Sequence, residues 1–140
     1  MISLAVLEYV RQPEQVVEEV YRVLKPGGQV CCYVPFMQGI HASPLDFQRY
    51  TPQGLDHLFR NFTERSLVVA SGPASGFAWL LQEWLAMLFS LGSSKLYWVF
   101  YFLFFVVTPI KYLDYLMVNH LKAENIASGF FIRAKKPSRP

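Results

Sequence analysis

Residues 1–34, MISLAVLEYVRQPEQVVEEVYRVLKPGGQVCCYV, decide the fold. Positions 2–7 are an unbroken apolar run, the pattern of a strand buried in a parallel sheet. A helix is predicted over 13–24. Pro13 suits its first turn, Glu14 complements the N-terminal dipole, and Val16, Val17, Val20, Val23 and Leu24 recur at helical spacing. Lys25-Pro26-Gly27-Gly28 ends it with a cation, a residue that cannot continue the helix, and a glycine pair for the turn. Residues 29–34 form a second short apolar strand, closed by Pro35. Strand, helix and strand joined by short turns make a βαβ crossover, parallel and right-handed.

Outward from this unit, residues 36–50 show neither strand nor helix period and contain Gly39 and Pro44. They are read as a loop at the carboxyl end of a parallel strand, the edge along which open α/β sheets bind ligands. Thr51-Pro52 start a helix whose buried stripe is Leu55, Leu58 and Phe59. Residues 66–70 and 129–134 supply two more strands. In the last, Phe131 and Arg133 share one face, and Phe130, Ile132 and Ala134 the other. The expected class is α/β, with strands at 2–8, 29–34, 66–71 and 129–135.

Composition removes several functions. The chain has 140 residues, 53% hydrophobic and 16% charged, against about 25% charged in ordinary globular domains. That excludes a disordered chain. The two cysteines, Cys31 and Cys32, are adjacent, so they point to opposite faces of a strand and build no disulfide scaffold. No Cys/His spacing suits a metal, and none is expected. Of the net charge of +3, the last 13 residues hold Arg133, Lys135, Lys136 and Arg139 without an acid. Residues 1–76 carry six Lys/Arg against seven Asp/Glu. No basic face is left to track a phosphate backbone, which argues against nucleic acid as a partner. Residues 1–10 lack the basic start and cleavage site of a signal peptide, so a cytoplasmic location is expected.

Residues 77–118 are different in kind. The 27 residues between Glu83 and Lys111 contain one charge, Lys95, and residues 96–107 (LYWVFYFLFFVV) are wholly apolar. Helices over 77–91 and 96–118, turning at Gly92-Ser93-Ser94, make a hydrophobic hairpin. Three fates stay open for it: the membrane interface, where Trp and Tyr are favoured, which would make the protein peripheral on an inner membrane; a crossing of the bilayer, which would make it integral there; or burial as a lid or in a homodimer. The expected organisation is a half α/β core at 1–76, the hairpin at 77–118, and a final strand with a basic tail at 119–140.

Leu7-Glu8-Tyr9-Val10, a spacer with Pro13, and Arg22-Val23-Leu24-Lys25-Pro26-Gly27-Gly28 resemble the second half of class I S-adenosylmethionine-dependent methyltransferases of the type 11 group. The stretch 41–52, HASPLDFQRYTP, is similar to a motif of one bacterial subgroup. The resemblance covers about residues 3–60 and implies a Rossmann-like sheet whose last strand runs antiparallel to its neighbours. It implies S-adenosyl-L-methionine as cofactor and methyl transfer to a nucleophilic O, N or C. The family's glycine-rich cofactor loop has no counterpart here: Gly27-Gly28 end a helix. The expectation is therefore the C-terminal part of a methyltransferase, from a truncated gene, a longer chain or a misplaced start, inactive alone and with an unknown substrate. The alternative is a non-catalytic membrane-associated or partner-binding protein reusing the half-fold.

By that resemblance Ser3, Leu4, Ala5 and Glu8 are the cofactor-contacting candidates at the end of the first strand. The family's usual His next to Glu8 is replaced by Tyr9. His41, Asp46, Arg49 and Tyr50 are the polar cluster of the loop. His41 is the candidate catalytic base, and Arg49 a candidate for a substrate carboxylate or phosphate. The alternative for Asp46 and Arg49 is that they pair and pin the loop.

Overall fold

A computed structural model describes residues 1–41 and 45–138. Ala42, Ser43 and Pro44 of the 41–52 stretch, and Arg139 of the tail, lie outside the described residues. The chain divides into two compact units, one made of Met1–Phe36, Ile40–Ala70 and the chain from Gly129, the other of Met37–Gly39 and Ser71–Ser128.

The first unit is a four-stranded sheet with helices. Its strands are β1 (Ile2–Leu4), β2 (Gln29–Pro35), β3 (Thr63–Ser71) and β4 (Gly129–Lys135), in the order β1-β2-β4-β3. β1 runs parallel to β2 with Ile2 opposite Cys31, and α1 (Pro13–Val23) forms the crossover. β4 runs antiparallel to β2, Cys32 facing Ile132. The expected α/β class and the antiparallel last strand are both present.

Helix α1 buries Pro13, Val17 and Val20, while α2 (Pro52–Leu58) starts at the Thr51 hydroxyl, which accepts from the Gly54 amide at 3.1 Å. Val30, Cys32 and Val34 of β2 and Phe130, Ile132 and Ala134 of β4 are buried with Leu55, Phe59 and Phe62. Tyr21 of α1 meets Phe62 edge-on, centroids 5.1 Å apart. The Cys pair splits as the strand period requires: Cys32 is buried and Cys31 half-buried.

Two expectations are corrected here. β1 ends at Leu4 rather than near residue 8, because Ala5 turns into the left-handed region (φ +51) and Leu7–Tyr9 coil into a 3-10 turn that buries Leu7 and Glu8. The basic tail is also partly consumed. Lys135 pairs with Glu64 at 2.8 Å, and Lys136 Nζ donates to the carbonyls of Tyr21 (2.7 Å) and Leu24 (2.8 Å) while lying over the Tyr21 ring. A cation from the far end of the chain thus satisfies the last carbonyls of α1.

The second unit is a helical hairpin. α3 (Pro73–Ser90) is followed by a turn in which Leu91 and Gly92 take left-handed backbone (φ +48 and +83). α4 (Ser94–Leu103) continues through a 3-10 stretch (Phe104–Leu113) into α5 (Asp114–Met117), a run of 24 residues. α3 begins at Pro73, earlier than the expected 77. The Asp114 carboxylate explains this: it accepts from the amides of Ala74 (2.7 Å) and Ser75 (3.0 Å) and so caps the helix from 40 residues away.

Replacing Lys136 by Ala removes the cation from the end of α1 and should cost about 1 kcal/mol of stability. Equilibrium unfolding in denaturant measures it, and an unchanged midpoint would contradict the capping role.

Candidate functional site

The site grows from the turn after β1. Three carbonyls of residues 7–10 that no longer serve a strand are taken up by the loop at 45–50. Gln48 Nε2 donates to the carbonyls of Val10 (2.8 Å) and Leu7 (3.3 Å), Phe47 N–H to that of Glu8 (2.8 Å), and Tyr50 O–H to that of Leu7 (3.4 Å). The loop is thereby fixed over Glu8, whose side chain is fully buried.

Four of the predicted residues meet here. Arg49 grips Asp46 with both terminal nitrogens, Nη2 lying 2.6 Å from Oδ2. The His41 amide donates to Asp46 Oδ2 at 3.1 Å. On the His41 ring, Nδ1 lies 3.4 Å from Arg49 Nη2 and 3.8 Å from Asp46 Oδ2, while Nε2 lies 3.7 Å from Glu8 Oε1. Tyr9 packs edge-on against that ring, centroids 5.7 Å apart. The carboxylate oxygens of Glu8 have no hydrogen-bond partner among the described residues.

The two carboxyl groups are pushed in opposite directions. Burial raises Glu8 above the ordinary carboxylate range, against the pull of His41 and Arg49. The Arg49 hydrogen bonds hold Asp46 below it. Asp46 is therefore a fixed anion, and Glu8 a carboxyl group whose charged form is disfavoured. Burial also raises the Tyr50 phenol, so that group serves to tie the loop to Leu7.

The other candidates lie elsewhere. Ser3 and Leu4, with Leu7, Val17, Val20 and Phe59, line a cleft of about 340 Å³ beside β1. Leu4 is 61% exposed, and Ala5 spends its backbone on the turn, its amide donating to Tyr33 O at 3.1 Å. Cys32 also lines this cleft, but burial pushes its thiol up to about 11, which makes it packing rather than a nucleophile. Sequence reasoning missed Gln48 and the His41–Tyr9 contact. Nothing in the aperiodic DFQRY segment marks Gln48 as the residue that joins loop to turn.

Because Glu8 is raised, its protonated form favours the fold, and that contribution fades as pH climbs from the ordinary carboxylate range. Asp46 works the other way and loses its contribution as pH falls below that range. For Glu8→Gln, the stability difference from the natural chain should therefore grow more favourable between pH 4 and pH 8. Denaturant unfolding at the two pH values reads it. A difference independent of pH would mean that Glu8 is not desolvated.

Residues 1–32 match the family model described as a methyltransferase domain. No curated protein matches the chain. Among solved structures, phosphoethanolamine N-methyltransferase 2 of Haemonchus contortus in complex with S-adenosyl-L-methionine aligns at 16% identity with a TM-score of 0.50, over 97% of this chain and 32% of that one. A second complex of that enzyme, with phosphomonomethylethanolamine and S-adenosylhomocysteine, gives 15% and 0.48 over 97% and 33%. The [4+2]-cyclase SpnF gives 13% and 0.45 over 97% and 48%. This chain spans about a third of the length of the Haemonchus enzyme. At these identities the likeness speaks to fold alone. In sequence over residues 1–32, and in fold, the chain is similar to part of a class I S-adenosylmethionine-dependent methyltransferase.

Proposed function

We propose that the chain is the carboxyl-terminal part of an S-adenosylmethionine-dependent methyltransferase, and that these residues alone do not catalyse. The observation that carries this is the parallel β1–α1–β2 unit, whose sequence is the part that matches the methyltransferase family. S-adenosylmethionine is the cofactor of such a fold, and the described residues do not by themselves fit it. The cleft beside β1 is lined by aliphatic and aromatic side chains, with the Ser3 hydroxyl and the Cys32 thiol as its polar side-chain groups. It offers no carboxylate for a ribose and no glycine cradle for close backbone approach.

Within the loop site, His41 is the proton acceptor for the methyl-accepting nucleophile, and Glu8 is the group that balances its charge. Asp46 and Arg49 hold the loop in place, and Tyr50 ties it to the turn. The geometry that supports this is the His41 ring held between two carboxyl groups of opposite tendency. Titrating the full chain with S-adenosylmethionine in a calorimeter should give no binding heat. Micromolar affinity would place the donor's seat inside these residues and overturn the reading. An in-frame G-x-G-x-G after an apolar strand, encoded upstream of Met1, would support it.

The hairpin supports a working place at a membrane. It is also the observation that favours the second reading, a membrane-associated protein without catalysis. Among the described residues, Ser94–Met117 is the one helical run long and apolar enough to cross a bilayer. The full chain should float with phospholipid vesicles. A Val99→Asp, Phe102→Asp, Val106→Asp variant changes three exposed positions and should stay at the bottom of the gradient with its helix content unchanged. Equal flotation of the two proteins would remove the membrane reading.

A further inference from the structure

Resting on that membrane reading, we propose that the run Ser94–Met117, long and apolar enough to cross by itself, and α3, which is not and crosses only as its packed partner, span the hydrocarbon layer of a phospholipid bilayer as an antiparallel pair. In this arrangement the turn around Ser93–Lys95 emerges on the far side. A hairpin lying flat in the interface needs a charged or polar face turned to water. This one has none. Every exposed residue of α3 is apolar: Phe77, Trp84, Met87, Leu88 and Phe89. Between Lys95 and Lys111 the exposed residues are again all apolar, Trp98, Val99, Phe102, Leu103, Phe105 and Val106 among them. No residue of α4 or of the 3-10 stretch is buried. A helix run that is apolar on its whole outer side and uncovered by protein suits lipid.

Gln82, Glu83 and Asp114 of the hairpin are hydrogen-bonded within it, while the Thr108 hydroxyl is buried without a partner among the described residues. Gln82 Nε2 donates to the Tyr101 carbonyl at 2.8 Å. Glu83 accepts from the Tyr97 hydroxyl and from Trp79 Nε1 at 3.3 Å. Asp114 accepts from two α3 amides and the Ser75 hydroxyl. Ala74, Ala78, Gln82, Ala86 and Ser90, one residue in four, are the buried seam of α3. Small residues at this spacing let two helices pack closely without hydrophobic driving force, as lipid requires.

Lengths and charges agree with a crossing. At about 1.5 Å per α-helical and about 2.0 Å per 3-10 residue, α3 is about 27 Å long and the 24-residue run about 41 Å, against a hydrocarbon core of about 30 Å. Lys95 stands at one end of the apolar stretch and Lys111 at the other, both exposed and both on stems long enough to reach headgroups. The chain leaves and returns at one point, where the Ser128 amide donates to the Ser71 carbonyl at 2.9 Å. Both flanks therefore emerge on one side of the bilayer. Lys111 and Lys122 lie at that end and Lys95 alone at the turn, so the flanks face the cytoplasm.

The test uses the full chain in the membrane of intact bacterial cells and a membrane-impermeant maleimide. Ser94→Cys adds a thiol at the exposed turn and leaves the Ser93 cap of α4 in place. Cys31 reports the side of the flanks. The expected result is one label on Ser94→Cys in intact cells, none on the natural chain, and label on the natural chain only after lysis. A membrane-bound variant whose position 94 and native cysteines label under the same condition would overturn the crossing and leave membrane association standing. Recovery of the protein in the soluble fraction would overturn both.

Discussion

The turn after β1 has to bury a carboxylate, and the arrangement of the loop follows from that. A left-handed Ala5 costs on the order of 1 kcal/mol, yet it lets the chain leave the sheet after three residues and fold Leu7 and Glu8 inward. Leaving the sheet strands the carbonyls of Leu7, Glu8 and Val10, and Gln48, Phe47 and Tyr50 take them up. The Glu8 carboxylate then lies under a loop whose other charges must answer it. Asp46 and Arg49 cancel each other at contact distance. What remains is Glu8 and His41, 3.7 Å apart. Burial disfavours the charged form of Glu8, and the loop sets the His41 ring beside it.

Much of this was legible in the chain. The crossover announced itself through punctuation: Pro13 opens α1, Lys25-Pro26-Gly27-Gly28 closes it, and Gly27 does adopt left-handed backbone (φ +75). The length of β1 was not legible, because its apolar run continues through Leu7 while the backbone turns at Ala5. Hydrophobicity marks burial, and a 3-10 turn buries Leu7 as well as a strand would. The His41–Arg49 cluster was visible as residue types in one loop. Its links to the turn were not, since Gln48 acts on carbonyls some 40 residues earlier and carries no periodic signal. Lys136 escaped for the same reason. A charge run reads as a solvated tail until the end of α1, 112 residues away, is set beside it.

The hairpin shows composition and contact dividing the work. Its apolar excess was plain, but the contacts of its few polar residues were not. An ionised side chain at the centre of a membrane helix costs roughly 2.5–3.5 kcal/mol, so the surroundings of Glu83, inside α3, matter. Asp114 sits where the free amides of the α3 N-terminus need an acceptor, and Glu83 faces Tyr97 and Trp79 rather than the outside. A carboxylate bound by helix amides and a hydroxyl has already exchanged water for protein donors, so moving the hairpin's outer face into lipid strips little further hydration from it.

Why, then, does so specific a loop lie in the same sheet as a cleft with so few polar groups? In the order β1-β2-β4-β3, β1 is the edge of the sheet. Ile2 and Leu4 stand 73% and 61% exposed on it, beside a cleft whose walls are almost wholly apolar. Ligands of open α/β sheets lie across the carboxyl ends of several neighbouring strands, with glycine-rich backbone and helix N-termini turned toward their charged groups. A single edge strand with one hydroxyl among its inward side chains supplies a wall for such a ligand but not the groups that would hold it. The loop needs only the turn after β1 to be ordered. Ordering the loop and lining the cleft are thus separate matters in this fold: the first draws on polar groups of the turn after β1, the second on almost wholly apolar side chains.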